Sequence, residues 1–200
     1  MTKSVAVGNS RYLDQMVRLH CAPDLIALKL FPNAKEVTES FAAYNAMLDH
    51  LSSGGLRPGE EEITGIFPGD GQTPRTGATF AFRTAWECIS IDPRMSPSWV
   101  TGRRKVDRLV ARRLRMEEMS VLCRTFAVVV AVHSHAPLPA AVRAALNAEE
   151  VAIVAIPCCK QQALAIPPDI RYRDDGILSP CNEVLVWRPR PAEAFVSMTE

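Results

Sequence analysis

Residues 63–93, which read ITGIFPGDGQTPRTGATFAFRTAWECISIDP, constrain the fold more than any other part of the chain. An apolar run at 63–67 predicts a strand, a turn rich in Gly and Pro follows at 68–77, and after a short helix residues 88–91 predict a second strand. Strand, tight turn, helix and strand in this order form half of a βαβ unit. Such a turn favours glycine, because it must bend sharply and let another group approach the backbone. Three glycines fill this role: Gly69, Gly71 and Gly77.

An acid stands at the tip of the second predicted strand. In nucleotide-binding βαβ units a carboxylate about 20 residues after the glycine turn accepts hydrogen bonds from both hydroxyls of a ribose. Asp92 occupies that place. The sequence therefore predicts a site for a nucleotide or nucleoside ligand between the first turn and Asp92.

The second half of the chain completes a doubly wound sheet. Residues 126–132, FAVVVAV, and 151–156, VAIVAI, are continuous apolar runs typical of parallel strands buried on both faces, and 138–147 between them predict a helix. Residues 177–178, after an Asp-Asp-Gly turn, and residues 183–187 predict a closing antiparallel strand or hairpin. These patterns predict an α/β fold with a doubly wound, mostly parallel sheet, whose ligand lies beyond the carboxyl ends of the strands.

Residues 10–51 precede this sheet and carry apolar side chains at helical spacing. Pro23 and Pro32 divide them into at least two helices. We therefore expect an N-terminal helical extension over residues 1–58 and one Rossmann-like domain over 59–200. The helices would cap the ligand cleft or offer a surface to a protein partner.

Composition narrows the class of protein. A chain of 200 residues with 48% hydrophobic and 22% charged content is typical of one soluble domain with a small appendage. It lacks an apolar run of the roughly 18 residues that a membrane span needs, and its first ten residues do not resemble a signal peptide. The six cysteines are scattered apart from the pair at 158–159, which favours free thiols in a reducing compartment. We expect a cytoplasmic protein without membrane contact.

The formal net charge of +1 means that any nucleic-acid surface must be a local patch. Residues 103–119, RRKVDRLVARRLRMEEM, are the candidate. Their periodicity predicts a helix that gives way to a third strand near 108–116, at an edge of the sheet. The arginines either protect that edge from aggregation or, if they face the cleft, bind phosphates. The side chains expected to contact a substrate are Arg75, Arg103, Arg104 and Lys105.

With these residues placed, residues 60–189 resemble the class I S-adenosylmethionine-dependent methyltransferases. That family has an acid-x-Gly-x-Gly turn against the methionine part of the cofactor, and Phe67 stands here in the place of its acid, so that Asp70 is expected to reach the amino group. The resemblance implies that Asp92 binds the ribose and that Glu117 or Glu118 contacts the adenine amine. The implied cofactor-binding residues are Pro68, Gly69, Asp70, Gly71, Thr76, Gly77, Asp92, Pro93, Glu117, Glu118 and His133.

Residues 127–146 and 151–160 are also similar to a narrower branch, which has a His after strand four and a Cys-Cys pair after strand five. That branch includes tRNA ribose 2′-O-methyltransferases, so the resemblance implies RNA as the methyl acceptor. His133 and Cys158 match the pattern, whereas His135 stands where the branch often has Cys.

Three residues are candidates for catalysis: His133, His135 and Cys158. A neutral imidazole can take a proton from an attacking hydroxyl or nitrogen, and a thiolate can attack a pyrimidine ring. Histidines with structural partners and packed thiols are the plain alternatives. A zinc site with Cys159 is a further one, although the spacing lacks the usual Cys-x-x-Cys pattern, and no metal is predicted.

The sequence thus predicts a methyltransferase that uses S-adenosylmethionine and acts on RNA. The competing prediction is an inactive methyltransferase-like fold that serves as a binding or assembly module, because Phe67 replaces an acid and an Asp/Asn-Pro-Pro-aromatic motif is missing. Another nucleotide-dependent enzyme with the same turn is the third alternative.

Overall fold

The computed structural model describes residues 9–158 and 164–196. Seven strands in these residues form one sheet: β1 (Ile63–Pro68), β2 (Glu87–Ile91), β3 (Leu109–Arg112), β4 (Phe126–Val132), β5 (Glu150–Ile156), β6 (Ile170–Arg173) and β7 (Glu183–Arg190). Their order is β3-β2-β1-β4-β5-β7-β6. All neighbours from β3 to β5 pair in parallel, whereas β7 runs antiparallel to both β5 and β6. The predicted mostly parallel sheet with an antiparallel C-terminal strand is confirmed.

Six α-helices accompany the sheet in the described ranges: α1 (Arg11–Val17), α2 (Ala22–Ala27), α3 (Ala34–Leu51), α4 (Arg75–Arg83), α5 (Pro97–Val100) and α6 (Leu138–Ala144). Their apolar sides pack on both faces. Phe41 and Met47 of α3 join Val128 and Val130 of β4 in one core, and α6 packs in a second core. The predicted doubly wound arrangement is therefore confirmed. None of these helices combines the length and apolar character that crossing a bilayer requires.

Residues 9–58 form three α-helices, consistent with the expectation of at least two. Asn33 begins α3, because its side-chain oxygen accepts a hydrogen bond from the amide of Glu36 at 3.1 Å. Helix α3 lies against α4, β4, β5 and β7. The division of the chain at residue 58 stays a prediction, although α3 shares its core with the sheet.

The helix predicted before the third strand is wrong. Residues 101–108 form turns and loop instead. Arg108 adopts a φ of 60°, which turns the chain into β3, and its guanidinium donates to the carbonyls of Ala81 and Thr84 at 3.0 Å. This arginine binds carbonyls at the end of α4, which a sequence period does not reveal. Strand β6 pairs antiparallel with β7, so the predicted C-terminal hairpin is present, but its first strand is Ile170–Arg173 and not residues 177–178. Helix α5, which has only four residues, was not predicted.

Candidate functional site

A cleft of about 380 Å³ opens at the carboxyl ends of β1, β2 and β4. Strands β1 and β4 are neighbours, but the chain leaves β1 toward β2 and leaves β4 toward β5 on the other side. In open α/β sheets ligands bind at such a switch point, because the two connections diverge there. Predicted site residues that line the cleft are Gly69, Arg75, Asp92, Pro93, Glu117, His133 and His135.

The glycine turn after β1 is packed against the loop after β4. Gly69 has a φ of +68°, and a Cβ placed on it would lie 2.3 Å from the Oγ of Ser134. The amide of Gly69 donates to the carbonyl of Ile91 at 2.7 Å, which ties the turn to the end of β2. This position therefore requires glycine for both its backbone angle and its space.

Other residues predicted to bind the cofactor are buried behind the glycine turn and do not line the cleft. Gly77 is buried, and a Cβ there would lie within 3.1–3.3 Å of Leu109, Ser90 and Phe67, so it lets α4 pack closely on the sheet. Thr76 is buried, and its hydroxyl lies 3.1 Å from that of Ser40. Neither residue lines the cleft, and neither does Pro68 or Gly71.

Asp70 faces inward, which corrects the expectation that its carboxylate reaches a cofactor amino group. One oxygen accepts from the amide of Thr76, and the other accepts from the amide of Gly77 and the hydroxyl of Ser90, each at 2.9 Å. Asp70 is 3% exposed, and burial raises the pKa of its carboxyl group. The Asp70 carboxylate thus links the glycine turn to the first turn of α4.

Phe67 has no exposed surface, and its ring lies 5.1 Å from that of Phe80. The position where the resembled family has an acid is thus part of the apolar core. With Asp70 turned inward as well, the end of β1 presents no side-chain carboxylate to the cleft among the described residues.

Asp92 lines the cleft directly after β2. Its Oδ2 accepts from the amide of Gly71 at 2.9 Å, and its Oδ1 accepts from the amide of Arg94 at 2.6 Å. Asp92 is 3% exposed, and its Oδ1 also lies 3.7 Å from the Nε of Arg94, so a ligand hydroxyl would have to reach the remaining lone-pair positions from the cleft. The contact with Gly71 fixes the carboxylate relative to the glycine turn.

The two acids after β3 differ in placement. Glu117 lines the cleft, whereas the Oε2 of Glu118 lies 3.3 Å from the amide of Arg115 at the start of a 3-10 turn, Met116–Glu118. Of the two alternatives, only Glu117 stands where it can contact a ligand in this cleft.

His133 follows β4 with a φ of 47°. Its Nε2 lies 3.1 Å from the carbonyl oxygen of Cys181 and 3.5 Å from Oε1 of Glu39. Burial lowers the pKa of the imidazole, and the Glu39 carboxylate opposes that effect. His133 is therefore mainly neutral at pH 7, with its ring against the wall of the cleft.

Glu39 on α3 is a neighbour of the site that was not predicted. Its side chain is 1% exposed, Oε1 pairs with the ammonium of Lys35 at 2.9 Å, and Oε2 has no hydrogen-bond partner among the described residues. Buried carboxylates are rare unless paired, and here the pairing is confined to Oε1. No sequence signal marks it, because only the fold brings it to His133.

His135 and Cys158 are close to each other. The Sγ of Cys158 lies 3.9 Å from the Nε2 of His135, and the Sγ of Cys181 lies 3.9 Å from the Cys158 carbonyl. Within residues 9–158 and 164–196 no three His, Cys, Asp or Glu side chains converge as metal ligands. Cys159, the fourth member of the zinc alternative, lies outside the described residues.

The basic side chains divide into two groups. The Arg75 side chain is 15% exposed and lines the cleft, while it also lies 2.8 Å from Glu36 and donates to the carbonyl of Asp70. Its contact with a substrate stays a prediction. The remaining predicted residues, Arg103, Arg104 and Lys105, are exposed. The cleft itself is lined by two further arginines, Arg94 and Arg115.

No protein-family model matches the chain, and a search of curated proteins found no similar sequence. Among solved structures, a point mutant of MtNAS covers 82% of this chain and 68% of its own, with 14% identity and a TM-score of 0.41. The same mutant in complex with S-adenosylmethionine covers 90% and 75%, with 13% identity and a TM-score of 0.43. MtNAS in complex with MTA and tNA covers 90% and 69%, with 12% identity and a TM-score of 0.44. The doubly wound α/β fold therefore rests on the strand order of this chain itself and not on these similarities.

Proposed function

We propose that this chain is a methyltransferase that binds S-adenosylmethionine in the cleft at the β1–β4 switch point. The observation that carries the proposal is the position of Asp92, which is fixed by the amide of Gly71 and shares one cleft with Gly69, Glu117 and His133. Asp92 would accept the ribose hydroxyls, Glu117 would contact the adenine, and the backbone at Gly69 would pass beneath the methionine part.

The cofactor supplies an electrophilic methyl group, and the protein's part is to align the acceptor and remove its proton. His133 is suited to the second task, because it is neutral at pH 7 and lines the cleft. The neighbouring His135 and Cys158 remain candidates for the same step. His133→Asn is the suitable variant, because Asn tolerates the left-handed backbone that His133 adopts. Methyl transfer should fall by about 100-fold or more while cofactor affinity changes little.

Asp92→Ala should weaken binding of S-adenosylmethionine at least tenfold, measured by isothermal titration calorimetry. Two hydrogen bonds to a charged carboxylate contribute about 1.5–3 kcal/mol each, and about 1.4 kcal/mol corresponds to a factor of ten. Glu118→Ala is the matched control, since it removes an acid that does not line the cleft. Equal affinities of wild type and Asp92→Ala would remove Asp92 from the site.

RNA is the acceptor that we propose, and two features support it. Arg94 and Arg115 line the cleft, and residues 103–105 are exposed in the same connection from β2 to β3 that carries Arg94, nearer to the amino end of β3. Replacing all three of Arg103, Arg104 and Lys105 with alanine should reduce the salt dependence of single-stranded RNA binding, by about 0.7 in the logarithmic slope for each lost phosphate contact.

The matched control replaces Arg171, Arg173 and Arg188 with alanine, since they are exposed on β6 and β7 at the opposite edge of the sheet. Salt titrations of a fluorescent oligonucleotide would compare the two triple variants. Identical slopes in both would refute the assignment of residues 103–105 to RNA binding.

One observation favours the alternative of a binding or assembly module without catalysis. Phe67 and Asp70 both face the core, so the end of β1 offers no carboxylate for a cofactor ammonium group in the described chain. Exposed Val17 and Ile26 on α1 and α2 would suit a protein partner. A thermal shift decides between the two, because a ligand at 100 times its Kd stabilises by about 2.7 kcal/mol. No shift with S-adenosylmethionine or S-adenosylhomocysteine would favour the module.

A further inference from the structure

Helix α3 contacts two of the residues that line the cleft, Arg75 and His133. Glu36 pairs with Arg75 at 2.8 Å, and the hydroxyl of Thr38 accepts from the amide of Leu178 in the loop before β7. Glu39 follows on the same helix and faces His133. The helix therefore delivers a buried carboxylate to the imidazole from outside the βαβ units.

We propose that Glu39 is a positioning residue that, with the carbonyl of Cys181, keeps the proton of neutral His133 on Nε2. The Nε2 lies 3.1 Å from the carbonyl oxygen of Cys181 and 3.5 Å from Oε1 of Glu39. Both of these groups only accept hydrogen bonds, so the Nε2 that faces them must carry a hydrogen. In neutral imidazole the other nitrogen, Nδ1, then bears the lone pair that can take a proton.

Lys35 moderates the charge of this pair. Its ammonium lies 2.9 Å from Oε1 of Glu39, and its side chain is 42% exposed, so solvent weakens the attraction. The Oε2 of Glu39 is buried without a hydrogen-bond partner among the described residues. Because Lys35 only partly offsets the charge of the Glu39 carboxylate, that carboxylate still attracts the imidazole. The charged groups that face His133 are Glu39 and Lys35 on α3 and Arg75 on α4.

The inference rests on the proposed function only where it assigns a role to Nδ1, and the first experiment does not need activity. Nitrogen-15 spectra of the full chain should show His133 of the wild type as one neutral tautomer, with hydrogen on Nε2. In Glu39→Gln the two nitrogen signals should move toward each other, because the amide can donate as well as accept and only the Cys181 carbonyl then favours hydrogen on Nε2. Glu36→Gln, three residues away and paired with Arg75, should leave them unchanged.

The pH dependence gives a second readout with a fixed sign. The carboxylate of Glu39 raises the pKa of His133 and the ammonium of Lys35 lowers it. Glu39→Gln should therefore move protonation of His133 to lower pH, and Lys35→Met should move it to higher pH. If His133 is the base, the acidic limb of kcat follows in the same directions. kcat of Glu39→Gln should fall about tenfold or more with an unchanged Kd for S-adenosylmethionine.

Unaltered nitrogen signals and an unaltered midpoint in Glu39→Gln would overturn the proposal. Should that variant fail to fold, Lys35→Met decides, and a midpoint equal to that of the wild type would overturn it as well. Shifted imidazole signals without methyl transfer to any tested acceptor would support the positioning role and count against the proposed function alone.

Discussion

Gly69→Ala is expected to abolish cofactor binding and to lower the midpoint of thermal unfolding by about 6–12 °C. A Cβ at this position would lie 2.3 Å from the Oγ and 3.0 Å from the Cα of Ser134, and the latter is backbone that cannot rotate away. The left-handed φ of +68° adds about 1 kcal/mol of strain. A total of about 3 kcal/mol corresponds to this shift for a domain of this size.

Gly102→Ala is the matched control, because Gly102 has a similar φ of +73° but no heavy atom within 4 Å of the added Cβ. It reports the cost of the backbone angle alone, about 1 kcal/mol. Calorimetric scans and titrations with S-adenosylmethionine would compare the two variants. Equal midpoints for both would mean that the contact with Ser134 does not constrain the turn.

Asp70→Ala is expected to lower the free energy of unfolding by about 3 kcal/mol at pH 7. The substitution leaves two amides and one hydroxyl without their acceptor in a buried place, and each unsatisfied donor costs about 1–3 kcal/mol. Desolvation of the carboxylate offsets part of this loss, since burial raises its pKa. Urea denaturation measures the difference, and a loss below about 1 kcal/mol would contradict the capping role.

Asp70→Asn is the finer comparison, because it keeps the shape and one acceptor oxygen. A carboxyl group with a raised pKa in the folded state binds more protons there than in the unfolded chain, so its contribution to stability falls as pH rises from its unfolded value. The free energy of unfolding of the wild type should therefore rise relative to that of Asp70→Asn as pH is lowered from about 7 toward about 4. A constant difference across that window would show that the backbone donors cancel the effect of burial.

The parts of the fold that the sequence predicts well are those with a local cause. The β-branched runs of β4 and β5 are too apolar to be anything but buried strands, and the glycine turn with Asp92 implies the crossover between β1 and β2. The position of the short strand β6 was not predicted, because IRYR is half exposed and its pairing with β7 depends on residues that follow later in the chain.

The site was predicted in position but not in every side-chain direction. Asp70 and Asp92 are alike in sequence, yet one caps a helix inside the core and the other lines the cleft. Arg75 lines the cleft as predicted, but its ion pair with Glu36 on α3 was not predicted. Glu39 meets His133 from a distant part of the chain, and no local pattern contains that contact. Direction is decided by tertiary neighbours rather than by local propensity.

The close fit of Gly69 against Ser134 also bears on how this protein can be recombined with others. The turn after β1 and the loop after β4 are separated in the chain by strands β2, β3 and β4, yet they meet with no room for a single methyl group between them. A chimera that takes the turn after β1 from another protein but keeps the native loop after β4 would bring together two surfaces that are not complementary. A chimera should therefore take residues 67–77 and 132–137 from the same parent protein. A junction between the two parents that falls anywhere between these segments is the least promising.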